Sequence, residues 1–133
     1  MARFFPYILS LILLSVSSNT DLLDLSSNEL PECFVITHCV RVNLEVPDLN
    51  RSFKQAKDII EKTPRTKIIK QSDSYIHAES TTKLMHYVDD LEVKAIQEKK
   101  LLQIRSESRI GLGDMGANKK RVDLLTYSLT SNN

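Results

Sequence analysis

The side chains of this 133-residue chain best equipped for chemistry gather in its second half. Asp89 and Asp90 are adjacent within an alternating apolar run, Arg105-Ser106-Glu107-Ser108-Arg109 follows, and Asp114, Asn118 and Arg121 come next. Guanidinium forks match phosphate or carboxylate bidentately, hydroxyls add donors, and the start of a helix favours negative charge. Arg105, Ser106, Ser108, Arg109, Asp114, Asn118 and Arg121, with Asp89 and Asp90, are therefore the candidate ligand-binding residues, and a small anion is the expected ligand. The alternative is a hydrolase or isomerase in which Asp89 or Asp114 acts as general base and Arg105 or Arg109 steadies developing negative charge. No nucleophile–base pair or metal triad accompanies these residues, so the non-enzymatic reading is preferred and no cofactor is expected. The same charges could equally form an ion-pair network that pins a final helix against a sheet.

All three glycines fall in Gly111-Leu112-Gly113-Asp114-Met115-Gly116, which has the G-x-G-x-x-G spacing of a dinucleotide-binding turn. That pattern needs a following strand and an acidic ribose ligand about 20 residues on. The chain given ends at Asn133 and its one later acid, Asp123, falls within the expected helix, so the glycines are read as backbone geometry.

Two cysteines, Cys33 and Cys39, bracket Phe34-Val35-Ile36-Thr37-His38. An even count behind an export signal reads as one disulfide closing a short loop. The rival is a metal site using both thiolates with His38 and His77 or His86. Zinc thiolates come in closer pairs, so no metal is the expectation.

These residues must be held by a scaffold. Val40 to Val46 alternates like a short strand, Asp48 or Asn50 can cap a helix from about 51 to 62, and Pro64 stops it. Four strand-like runs follow, 67–71, 75–79, 85–96 and 101–106, with turn-prone segments between them, and a last helix spans about 116–128. On the third run Asp89 and Asp90 point to opposite faces, while on the fourth Arg105, Glu107 and Arg109 share one. His77 and His86 are read as half-buried strand residues. The fold expected is α+β: a four-stranded antiparallel sheet packed against an N-terminal and a C-terminal helix.

Ahead of the domain, Phe4 to Val16 is a thirteen-residue apolar run after Arg3, with Ser15, Ser17 and Ser18 near its end. It suits a signal peptide better than a membrane span, which needs about 20 residues. Residues 1–17 are accordingly read as a signal peptide or short anchor, 18–32 as a linker and 33–133 as one domain. Lys and Arg number 18 against 17 Asp and Glu, and cutting after Ser17 removes Arg3 and balances them. Balanced charge and the absence of Trp argue against nucleic acid as a partner.

From Cys33 to Leu129 the chain resembles the family called domain of unknown function 1499. The resemblance is carried by the spacing of Cys33 and Cys39, by Pro64-Arg65-Thr66, Tyr75-Ile76-His77-Ala78-Glu79 and Val88-Asp89-Asp90. It is most specific in Arg105 to Gly111 and Asp114 to Arg121. The family usually lacks glycine at the position of Gly113. It tends to have prolines and Asn between its cysteines, where this chain has Phe34, Ile36 and His38. The resemblance implies an uncharacterised protein of bacteria or photosynthetic eukaryotes, with a periplasmic or thylakoid-lumen setting. It implies no activity. A third functional reading, beside the anion-binding module and the enzyme, is a structural or assembly protein of such a compartment whose partner is a membrane-associated complex.

Overall fold

A computed structural model describes residues 28–111 and 113–131, so the expected signal segment and most of the expected linker lie outside the described residues. Strand β1 (Cys39–Glu45) leads into helix α1 (Leu49–Lys62). Then come β2 (Thr66–Gln71), β3 (Tyr75–Thr81) and β4 (Val88–Ile96), a single 3-10 turn at Gln97–Lys99, β5 (Leu101–Ser108) and helix α2 (Ala117–Ser131).

Local chemistry sets α1 at both ends. The Asp48 carboxylate accepts from the Arg51 amide at 3.0 Å, which satisfies one of the amides a helix start leaves open. Thr63 closes the far end through its amide to Ile60 O at 3.1 Å, and Pro64 cannot extend the helix. Leu49, Ser52, Ala56 and Ile60 are buried along one stripe.

The strands form one antiparallel sheet in the order β1-β5-β4-β3-β2. It has five strands and not the four expected from sequence. Val40 to Val46 does more than flank the sheet: Cys39 through Glu45 pairs with Glu107 through Leu101 and makes β1 an edge strand. The helix expected at the amino side consequently lies between β1 and β2, where it carries the chain from one edge of the sheet to the other. The third strand also starts later than expected, at Val88. Leu84, Met85 and His86 belong to a connecting loop, and His86, expected on a strand, is an exposed loop residue with φ 54°. At the β2 edge a register shift between Ile68 and Lys70 marks a bulge, a feature that discourages edge-to-edge pairing.

Alternation then assigns every side chain to a face. Toward the helices point Val40, Val42 and Leu44 of β1, Ile76 and Ala78 of β3, Leu91, Val93 and Ala95 of β4, and Leu102 and Ile104 of β5. Against them pack α1 and the Val122, Leu125 and Leu129 stripe of α2. Each fully buried Val, Leu or Ile among them contributes about 1.5–3 kcal/mol on burial, the alanines and the partly buried β1 side chains less. Among the described residues the opposite face has no helix over it, as antiparallel sheets permit. Asn28 to Glu32 crosses part of it: the Leu30 amide donates to the buried Gln103 Oε1 at 2.8 Å, Asn28 bonds Glu98 at 2.8 Å, and Glu32 pairs with Arg41.

Candidate functional site

The residues singled out in the sequence separate onto the two faces of the sheet. β5 pairs with β4 so that Ser108 opposes Asp89 and Ser106 opposes Leu91 on the helix side, while Glu107 opposes Asp90 and Arg105 opposes Glu92 on the open side. Arg105 and Arg109 therefore do not converge with Ser106 and Ser108.

On the helix side, the head of the α2 stripe is a buried Asn118 in place of an apolar residue, and a polar network forms around it. Its two Nδ2 hydrogens are shared among three acceptors, Ser108 Oγ at 2.8 Å, Asp114 Oδ2 at 2.6 Å and the His38 carbonyl at 3.1 Å. Its Oδ1 accepts from Ser106 Oγ at 2.6 Å and from Arg121 at 2.8 Å. Arg121, one turn along α2, also donates to Ser106 Oγ at 2.9 Å and to Asp89 Oδ2 at 2.8 Å, and Ser108 Oγ donates to Asp89 Oδ1 at 2.7 Å. Asp89 is 1% exposed, and its charge is held by this one guanidinium and one hydroxyl. Asp114 caps α2, accepting from the amides of Gly116 at 2.8 Å and Asn118 at 3.0 Å. Burial pushes the Asp114 carboxyl up, but those amides and the Asn118 side chain outweigh it and hold the group below the usual carboxylate range.

On the open side, Arg109 bonds Asp90 through both carboxylate oxygens, at 2.8 and 2.9 Å, and Glu79 at 2.6 Å. His77 Nε2 lies 2.7 Å from Asp90. Arg109 first, then burial against it and His77 with it, set a net lowering of the Asp90 carboxyl. Arg105 bridges Glu92 and Glu107, and Tyr75 donates its hydroxyl to Glu92 at 2.6 Å. Burial first and the Glu92 hydrogen bond second push the Tyr75 phenol well above its ordinary value.

Cys33 and Cys39 form a disulfide, so their sulfurs are not available as metal thiolates. His38, His77 and His86 lie in the disulfide loop, on β3 and in the 82–87 loop, and no group of three His, Cys, Asp or Glu among the described residues is placed to hold a metal. The glycine cluster opens α2 with no strand beyond it among the described residues. Gly113 and Gly116 have φ of 87° and 80°, a backbone that side chains other than glycine strain to adopt.

Sequence reasoning missed a cavity of about 320 Å³ at the end of the sheet where β4 begins and β5 ends. Thr82 to Met85 and Tyr87 form one wall, Ile110, Gly113 to Met115 and Ala117 the other, and the buried Asp89 and Ser108 lie at its floor. Met115 on one wall, at φ 52°, and His86 in the loop that carries the other, at φ 54°, hold left-handed backbone conformations that cost about 1–2 kcal/mol each. The signal in the sequence is Leu84-Met85 and Met115, apolar residues without a partner element; the strand reading absorbs Met85, the glycine reading absorbs Met115, and Leu84 falls in neither.

The described residues thus define a two-layer α+β domain, with one sheet face under helices and a polar-floored cavity at the sheet's end. The chain belongs to the family described as protein of unknown function (DUF1499), whose profile matches residues 31–129. No curated protein matches the sequence. Among the described residues, no helix is long and apolar enough to cross a membrane.

Proposed function

We propose that the protein is a non-catalytic binding module whose ligand enters the cavity between the 82–87 loop and the start of α2. The ligand's chemistry is an apolar body with a hydrogen-bond-donating head, such as a hydroxyl or amine. The carrying observation is the make-up of the cavity: apolar walls from Leu84, Met85, Tyr87, Ile110 and Met115 over a floor that presents the Asp89 carboxylate and Ser108 hydroxyl. Ligand sites commonly combine such walls with a few convergent polar groups, and this volume is at the small end of their range.

A small anion is less favoured at this cavity. The place where the α2 N-terminus would attract one is taken by the Asp114 carboxylate, and a second carboxylate, Asp89, stands at the floor. On the far face Arg105 and Arg109 are already paired with carboxylates. Nothing in the arrangement favours the hydrolase or isomerase reading, since Arg105 and Arg109, which were to steady developing negative charge, lie on the opposite face of the sheet from Asp89 and are paired with carboxylates there.

The test is a titration of the oxidised protein with an alkyl alcohol, an alkyl amine and an alkyl carboxylate of equal chain length, followed through the methyl resonances of Leu84, Met85 and Met115. The alcohol or amine shifts them saturably, and the carboxylate binds at least about tenfold more weakly, about 1.4 kcal/mol. Saturation by none of the three, or a preference for the carboxylate, overturns the proposal.

A further inference from the structure

Three loops share the end of the sheet at which the cavity opens. The disulfide loop enters β1 at Cys39, which pairs with Glu107 near the end of β5, and the 82–87 loop joins the end of β3 to the start of β4. Beyond β5, residues 109–111 and 113–116 lie beside them: a Cβ on Gly111 would lie 3.9 Å from His38 Cε1, and one on Gly113 would lie 3.9 Å from Thr37 O. Each loop holds large apolar side chains out to solvent. Phe34 is 91% exposed, Ile36 84%, Leu84 85% and Met85 63%, and Met115 is fully exposed. Single exposed leucines are ordinary on a soluble surface, but three adjoining loops tipped in this way mark an interaction surface.

We propose that this rim docks the domain on a lipid bilayer bearing anionic headgroups, with Phe34, Ile36, Leu84, Met85 and Met115 entering the interface. Charge complementarity selects a bilayer over a protein partner. Lys83 beside Leu84 and the exposed Arg65, whose Nε bonds the Thr81 carbonyl at 3.1 Å, stand at the same end with no carboxylate partner among the described residues. The carboxylates there are paired within the protein: Asp89 with Arg121, Asp90 and Glu79 with Arg109, Glu107 with Arg105, Asp114 with the α2 amides, and the largely exposed Glu32 with Arg41. Basic residues at a membrane surface contribute about 1 kcal/mol each where anionic lipid is present. The sequence outside the described residues is compatible with the same surface. The apolar run Phe4 to Val16 is separated from Asn28 by eleven residues, which can span at most roughly 36–40 Å. That exceeds the roughly 30 Å length of the nine-residue β4, which separates Asn28 beside Glu98 from the rim, so a bilayer-bound amino end would leave the rim free to reach the same bilayer. The proposal does not depend on which ligand the cavity takes.

The experiment places an environment-sensitive dye on the full oxidised chain at Leu84→Cys or, as a control at the opposite end of β3, at Asp73→Cys. Cys33 and Cys39 are joined, so only the introduced thiol reacts, and both positions are exposed, so folding is not at issue. Phosphatidylcholine vesicles are added with and without phosphatidylglycerol. The expected result is a blue-shifted, brighter emission at position 84 and none at 73, with affinity rising when phosphatidylglycerol is present. Lys83→Ala should weaken binding to the anionic vesicles about fivefold. A position 84 dye that stays in water while the protein sediments with vesicles overturns the proposal. So does the same response at both positions, or no vesicle binding at all. A shift at 84 that needs only higher protein concentration and no lipid assigns the rim to a second copy and likewise overturns it. Ala117→Phe, which fills the cavity, should abolish the ligand-induced methyl shifts and leave vesicle docking intact, which separates a failure of this proposal from a failure of the ligand assignment.

Discussion

Replacing Arg121 with Met should cost the domain about 3–5 kcal/mol, the usual consequence of stranding a buried charge. Asp89 is 1% exposed, and Arg121 meets it at 2.8 Å with its own side chain 15% exposed. At an effective dielectric of about 20 the attraction at that distance is roughly 6 kcal/mol, most of it offset by the desolvation of both ions. Arg121→Met removes the attraction and leaves the desolvated Asp89 with Ser108 alone. It also takes a donor from both Ser106 Oγ and Asn118 Oδ1. Adding Asp89→Asn in the same chain removes the stranded charge, so the double variant should be no less stable than Arg121→Met by itself, with a coupling energy of about 1–3 kcal/mol. Urea unfolding of the oxidised chain measures each corner of this cycle, provided the denaturant slope stays constant. An Arg121→Met variant within about 1 kcal/mol of the parent, or two additive single changes, would refute the claim that this pair holds α2 to the sheet.

Three further outcomes are expected. The Asp114 carboxyl is lowered in the fold, so its stabilisation is complete above the unfolded value of about 3.9 and is lost as pH falls through the lower folded value. Asp114→Asn should therefore flatten the acid limb of an unfolding-versus-pH curve, and an unchanged limb would contradict the assignment. Met115→Gly should relieve the left-handed backbone at that position and stabilise the domain by about 0.5–1 kcal/mol while weakening vesicle docking; thermal unfolding and flotation read the two effects separately. Opening the Cys33–Cys39 loop with paired serines should cost about 2 kcal/mol by chain entropy, and calorimetry showing no loss would mean that the loop is ordered by other contacts.

Much of this fold could be read from local patterns because local chemistry determines those parts. Asp48, the apolar stripe of α1 and Pro64 mark that helix without reference to the rest of the molecule, and period-two alternation was enough to send Asp89 and Asp90 to opposite faces. What escaped depended on distant partners. Nothing within Val40 to Val46 shows that it pairs with β5, some sixty residues later, so the sheet was counted one strand short. The arginines and serines of 105–109 were grouped because they are neighbours in sequence. Yet the alternation that unites Arg105 with Glu107 also turns Ser106 and Ser108 toward the helices. Asn118 explains the second half of the site. A buried amide at the head of an apolar stripe requires partners, and Ser106, Ser108, Asp114 and the His38 carbonyl provide them. Leu84, Met85 and Met115 were hidden because exposed apolar residues look like core until a structure shows which surface they face.

The most direct test of the account is to locate a bound alkyl alcohol or amine by nuclear Overhauser contacts in the oxidised protein. The account predicts contacts from the alkyl chain to Leu84, Met85 and Ile110, with the head group nearest Ser108. Contacts instead to Tyr75, His77 or Glu79 would place the ligand on the open face of the sheet and contradict it.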